Sequence, residues 1–345
     1  MKVIALCLIA LGVTCDINLR HEEMLNTPFA LIPKALQLQM YSEFVRDFNK
    51  EYSTEKMFVF LDNLKKIADH NSKGESTYKM GINFSADMTF EEFSKTYLIS
   101  EPQDCSATVG GYIRKNAKIP DSFDWRDKDM VSPVKNQGSC GSCWTFSSTG
   151  ALEAHARIHL KKNLDLAEQQ FLDCAGDFDN NGCSGGLPSH AFTYLYYRGG
   201  IQQASDYKYK AKQGACVFDI NKVVLKVPGG SVNITAGAEP ELTEAVATEG
   251  PVSIAFQVVD DFRLYRSGVY TSTKCKNGPK DVNHAVLAVG YGNESGKDFY
   301  TIKNSWGAQW GMSGYFKMER GVNMCGVAVC NSFPKLLDKE SASLF

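Results

Sequence analysis

The chain has 345 residues, enough for two or three domain-sized units and a sizeable core, so it is neither a peptide hormone nor a mini-protein. Its 37 basic and 39 acidic residues leave a net charge of −2, which excludes an overall basic field for nucleic acid or an anionic membrane. Hydrophobic residues at 43% and charged residues at 22% exclude wholesale disorder, collagen and a coiled coil.

In chain order, Lys2 precedes an apolar run from Val3 to Val13 and then small residues. This pattern predicts a secretory signal peptide over 1–15, and the run is too short to span a bilayer. No later segment is long and apolar enough for a membrane span. The mature protein is therefore expected in the secretory pathway, bound for a lysosome or vacuole or secreted, where thiols oxidise. There the sequons at Asn83, Asn233 and Asn293 become candidate glycan acceptors; Gly or polar residues flank the latter two.

Residues 16–119 form a Lys/Glu-rich stretch without cysteine before Cys105, a compositional shift that marks a separate unit. Phe60, Asn63, Ile67 and Asn71 recur at helical spacing, and Thr89-Phe-Glu-Glu92 reads as a capping box opening another helix.

Of 11 cysteines, Cys7 and Cys15 lie in or at the edge of the signal. The odd remainder, Cys105, Cys140, Cys143, Cys174, Cys183, Cys216, Cys275, Cys325 and Cys330, leaves one thiol over when the others pair. Cys143 is the candidate: it ends the Gly-rich stretch Asn136 to Cys143 and opens an amphipathic helix pattern running to His155. Unpaired amides at a helix N-terminus favour thiolate over thiol. Two other readings compete. Cys140-Gly-Ser-Cys143 is a C-x-x-C pair, as in a redox dithiol or half a zinc site, but no clear parallel strand precedes it and no second C-x-x-C follows. His155 and His159 have metal-ligand spacing, yet Ala156 stands where a zincin has Glu.

A thiolate nucleophile needs a proton acceptor, a group to orient it and donors for the oxyanion. His284 heads an apolar strand-like run; Asn304 follows another and can accept a hydrogen bond from the imidazole, with Trp306 shielding that bond. Gln137, together with the Cys143 amide, supplies a candidate oxyanion hole.

The motifs QGSCGSCW, NHAV and KNSWG, in this order over residues 120–334, resemble those of the papain-like cysteine proteases. The resemblance implies an α+β fold over 120–345, with a helical left domain carrying Cys143, a β-barrel-like right domain carrying His284 and Asn304, and the substrate cleft between them. It also implies that Cys143, His284, Asn304 and Gln137 are catalytic, and that no metal or organic cofactor is required. Gly185 and Gly186 would let an extended substrate approach, and Leu187, Pro188 and Ala285 would line an apolar S2 pocket. Implied disulfides are Cys140 with Cys183, Cys174 with Cys216 and Cys275 with Cys325. The helix around Phe60 resembles the family's inhibitory propeptide, with Tyr52 and Lys56 replacing Glu and Arg; Gly81, Asn83 and Asp87 resemble its next motif, with Phe84 one place early.

Glu101 to Thr108 and Asn323 to Cys330 resemble the cathepsin H branch of the family, in which a mini-chain cut from the prosegment stays tethered by a disulfide. Here that bond would join Cys105 to Cys330, and the carboxylate of Thr108 would meet a substrate's α-ammonium group. The implied activity is aminopeptidase with limited endopeptidase action on peptide and protein substrates. The implied assembly is a monomer, with its own propeptide as inhibitor. Asp104 replaces the mini-chain's usual Asn, and residues 335–345 extend past the family's usual end. The alternatives are a plain endopeptidase that loses the mini-chain and a non-catalytic binding scaffold, the latter disfavoured because none of the four catalytic residues is substituted.

Overall fold

The computed structural model describes residues 16–101, 103, 105 and 111–336; the predicted signal peptide, Thr108 and the last residues of the C-terminal extension lie outside the described residues. The chain forms two compact units. One contains the described residues up to Phe93 together with Asp260–Gly268, and the other contains Ser94–Val259 together with the chain from Val269 onward.

In the first unit, short helices α1 (Ile17–Arg20) and α2 (Glu22–Leu25) precede α3 (Lys34–Asp47) and α4 (Thr54–Ser72). Ser53 starts α4 by accepting the Lys56 amide at 3.3 Å. The helical spacing of Phe60, Asn63, Ile67 and Asn71 puts all four on one buried stripe. Tyr41 and Phe44 of α3 pack on Phe60, with ring centroids at 5.4 and 5.1 Å. The two asparagines tolerate burial because their amides complete main-chain bonding. Asn71 accepts from Met80 N and donates to Met80 O, both at 2.9 Å, as a neighbouring strand would for β1 (Tyr78–Met80). Asn63 donates to the carbonyls of Ala86 and Met88.

The predicted capping box opens α5 (Phe90–Tyr97): Thr89 N donates to Glu92 Oε2 at 2.9 Å, and Glu92 N donates to Thr89 Oγ1 at 3.2 Å. Lys56, although not the Arg of the resemblance, pairs with Glu92 at 2.6 Å. Within this unit β1 pairs antiparallel with Tyr265–Gly268, and the fully buried Arg263 guanidinium binds Asn63 Oδ1 at 2.7 Å, Ser85 O at 2.9 Å and Asp260 Oδ1 at 2.9 Å. Asn83 corrects an expectation. It is buried, and its amide nitrogen, the atom a glycan would use, donates to Arg263 O at 2.8 Å. The sequon triplet specifies local sequence and carries no information about burial.

In the second unit, β2 (Phe123–Asp124) precedes α6 (Cys143–Leu160), α7 (Glu168–Cys174) and α8 (Pro188–Arg198), and β3 (Ile201–Gln202) pairs with β4 (Val223–Leu225). Then follow β5 (Ser231–Asn233), α9 (Glu239–Thr248), β6 (Val252–Phe256), β7 (Tyr265–Tyr270, whose residues up to Gly268 belong to the first unit), β8 (His284–Glu294), β9 (Lys297–Lys303), β10 (Tyr315–Glu319) and β11 (Ser332–Pro334). α6 differs from the amphipathic pattern: every residue from Cys143 to Ala156 is buried. Its small residues permit this, since a Cβ on Gly150 would sit 3.1 Å from the Leu287 side chain of β8.

The strand order runs β7, β10, β9, β8, β6, β11, β5, so the sheet stays open and does not close into a barrel. β8 and β9 form a hairpin whose turn residues, Ser295 and Gly296, both have positive φ, as a two-residue turn with the strands' twist requires. Antiparallel pairing brings the start of β8 and the end of β9 to the same edge, where His284 opens one strand and Asn304 directly follows the other.

Candidate active site

Cys143 is the first residue of α6, fully buried, and its Sγ accepts a hydrogen bond from Ala285 N at 3.3 Å. The helix N-terminus therefore delivers the sulfur to the residue next to His284. Burial pushes this thiol up to about 12 and outweighs the amides of Ala285, Trp144 and Cys143, which lower it. In this closed state the sulfur is thus a neutral thiol, contrary to the expectation from helix position alone. Desolvation is the larger effect here.

His284 Nε2 lies 2.8 Å from Asn304 Oδ1, which also accepts Ser305 N at 2.8 Å. Because that oxygen can only accept, Nε2 carries the proton. The second nitrogen, Nδ1, is buried without a hydrogen-bond partner and has a free lone pair. Burial lowers His284 to about 4 against the opposing bond from Asn304, so the ring is neutral. Trp306 stacks on it, with centroids at 4.6 Å, and covers the pair.

Gln137 is fully buried, and its amide is fixed at both ends: Oε1 accepts from Ser305 Oγ at 2.7 Å, and Nε2 donates to Cys140 O at 2.8 Å and to Tyr97 O at 2.9 Å. The donor expected to hold a substrate oxygen is thus engaged by a main-chain carbonyl from upstream in the same chain. The following residues continue across the site. Ile99 N donates to Asn283 O at 2.9 Å, and the amides of Ser100 and Glu101 donate to Ser184 O at 3.0 and 3.1 Å. Ile99 packs in the same apolar cluster as Cys143, Trp144 and Ala285.

Gly185 and Gly186 serve different purposes. At Gly185, φ is +130° and a Cβ would lie 2.4 Å from the Ile99 side chain, so its absence admits the passing segment. A Cβ on Gly186 would instead strike Asn180 Oδ1 at 2.4 Å and the Trp144 ring at 2.8 Å, so that glycine serves core packing. The expected pocket residues also divide. Ala285 belongs with Ile99 and Cys143, whereas Leu187 clusters with Cys105, Ala255, Val282, Val329 and Cys330. Pro188 is buried in the first turn of α8.

Disulfides join Cys105 to Cys330, Cys140 to Cys183, Cys174 to Cys216 and Cys275 to Cys325, and Cys143 is the free cysteine among the described residues. Asn293 is exposed at the β8–β9 turn, and Asn233 is half-buried in β5.

Sequence reasoning missed a buried ionic cluster behind the site. Lys135 Nζ meets Glu153 at 2.9 Å, Glu168 at 2.7 Å and Asp165 at 2.6 Å, while Lys303 donates to Ser132 Oγ at 3.0 Å and that hydroxyl donates to Glu153. Lys303 directly precedes Asn304, and burial lowers it to about 8. A small cavity lies between this cluster and the site, lined by Lys135, Glu153, Lys303, Asn304 and Ser305 among others. The available signal was Glu153 alone in an otherwise uncharged stretch of α6.

The papain family cysteine protease model matches residues 119–335, and the cathepsin propeptide inhibitor domain (I29) matches residues 41–93. The chain belongs to the papain family of cysteine proteases. It is 49% identical over 309 residues to pro-cathepsin H of Bos taurus, covering 88% of this chain and 92% of that one. It is equally 49% identical over 319 residues to the thiol protease aleurain-like of Arabidopsis thaliana, covering 91% of this chain and 88% of that one. Among solved structures, the digestive procathepsin L2 proteinase of Tenebrio molitor matches with a TM-score of 0.81 and 38% identity, covering 87% of this chain and all of that one. This papain-family chain is therefore a cysteine peptidase related to cathepsin H and plant aleurain, preceded by a propeptide inhibitor domain. Among its described residues, no helix is long and apolar enough to cross a membrane.

Proposed function

We propose that the chain is the precursor of a cathepsin H-type peptidase, chiefly an aminopeptidase with limited endopeptidase action. Cys143 is the nucleophile, His284 the proton carrier, Asn304 its orienting partner and Gln137 an oxyanion donor. When the segment Tyr97–Glu101 leaves, the burial that keeps the sulfur neutral falls and the lowering amides remain. The thiol proton passes to His284 Nδ1 as sulfur attacks the substrate carbonyl. The carbon–nitrogen bond then breaks, the leaving amine takes that proton, and water, deprotonated by the same imidazole, releases the acyl group. The observation that carries this reading is the Tyr97 carbonyl on Gln137 Nε2, a peptide oxygen bound where the oxyanion would form.

The preference for free N-termini draws its support from the Cys105–Cys330 bond, which fixes Cys105 in the cluster containing Leu187. After cleavage the Thr108 carboxylate would neutralise a substrate's α-ammonium and block longer acyl-side peptides. The proposed boundaries are a signal over 1–15, a prosegment over 16–119 and a peptidase over 120–345, travelling the secretory route to a lysosome or vacuole or out of the cell. Asn293 and Asn233 are the proposed glycan acceptors.

The test is turnover of an unblocked aminoacyl amide against an N-blocked peptide by the acid-activated protein, with and without a thiol alkylator. Faster turnover of the unblocked substrate, lost on alkylation, is expected. Faster turnover of the blocked one would support a plain endopeptidase, and no turnover of either would support a non-catalytic scaffold.

A further inference from the structure

Glu244, on α9, is 2% exposed, and its carboxylate oxygens are taken up by the segment upstream of Pro120. Arg114 Nε donates to Oε2 at 2.9 Å, Lys115 N donates to Oε1 at 2.6 Å, and Tyr112 OH donates to Oε1 at 3.4 Å. Lys115 Nζ pairs with Glu249 one turn on. The same segment engages the sheet edge: β5 ends the strand order, and its Asn233 carbonyl accepts Gly111 N at 2.7 Å and Tyr112 N at 2.9 Å. The Tyr112 ring sits edge-on to Phe333 of β11 at 6.0 Å. Ile113, by contrast, points away and is 84% exposed. Main-chain pairing, one aromatic contact and two carboxylates on consecutive basic residues make a recognition pattern with one free position.

We propose that this face of β5 and α9 is a binding site for an extended basic peptide of the pattern aromatic-x-Arg-Lys, occupied in the precursor by Tyr112–Lys115. When the segment leaves, Glu244 loses these donors, and a basic peptide of the same pattern would restore them. Burial alone would raise Glu244, yet Arg114 and the amides of Lys115 and Ala117 lower it overall, so the occupant stabilises the charged form. Cleavage after Thr108 and before Pro120, which rests on the proposed boundaries, would free the occupant and leave the site open to a basic segment of another polypeptide.

The test uses the full-length Cys143→Ser precursor and a fluorescent peptide with the sequence of residues 111–118, read by anisotropy. Disarming the resident segment with Tyr112→Ala, Arg114→Ala and Lys115→Ala should create saturable, salt-sensitive binding. That binding should be at least tenfold tighter than to the undisarmed precursor, and adding Glu244→Gln should remove at least tenfold. A smaller difference in either comparison overturns the site. Limited trypsin digestion of the undisarmed Cys143→Ser precursor tests docking without altering the site: cleavage after Arg114 and Lys115 should be at least tenfold slower than after Lys118, and less protection overturns it. Neither measurement involves peptidase activity, so failure here leaves the proposed function standing.

Discussion

Cys143 and His284 are both held neutral by burial, which gives the closed precursor a definite pH response. His284 titrates near 6.5 in an unfolded chain and about 4 here, so its contribution to stability is fully present above pH 6.5 and is lost as pH falls through 4. The difference corresponds to about 3 kcal/mol. His155, lowered to about 3 by burial, acts in the same direction. Urea midpoints of the precursor should therefore fall between pH 7 and pH 4, and His284→Gln should make that fall shallower; an equally steep fall would contradict the assignment. At Gln137, replacement by Ala removes the donor that Tyr97 O now occupies and should lower kcat/KM of the activated enzyme by about 10²–10³-fold. A loss under tenfold would remove Gln137 from the chemistry.

At the scale of elements, what could be read in advance was local. The spacing along α4 and the Thr89–Glu92 box depend on neighbours within a turn, and both appear as predicted. Thr89→Ala should destabilise the first unit by about 1 kcal/mol, measurable by denaturant titration. The constellation of Cys143, His284, Asn304 and Gln137 was readable because each motif is compact, although the antiparallel register of β8 and β9 that joins His284 to Asn304 was not. The ionic cluster draws Lys135, Glu153, Glu168 and Lys303 from separate elements, and no periodicity connects them. The buried Asn83 and the all-round burial of α6 likewise depend on distant packing partners. The cluster ties α6, which carries Cys143, to the end of β9, which carries Asn304. Glu153→Ala would take one of three carboxylates from Lys135 and the acceptor from the Ser132 hydroxyl that binds Lys303, and should cost about 1–3 kcal/mol in denaturant stability, whereas Glu153→Ala combined with Lys303→Met should recover part of that loss.

At the scale of the whole molecule, the disulfide framework separates one sulfur from the rest. Four bridges link the described residues, and the Cys105–Cys330 bridge spans 225 residues, joining a stretch upstream of the peptidase match to the far end of the peptidase body. Cys105→Ser should leave hydrolysis intact and shift preference toward N-blocked substrates after activation, because the tethered stretch could then diffuse away. An unchanged preference would detach the exopeptidase reading from the tether. A mass-spectrometric map of thiols and disulfides in the acid-activated protein reads both the free sulfur and the tether at once. Alkylation at Cys143 and a Cys105-containing peptide released from Cys330 only on reduction are expected; a bridged Cys143 would overturn the nucleophile assignment, and no peptide on Cys330 would overturn the tether.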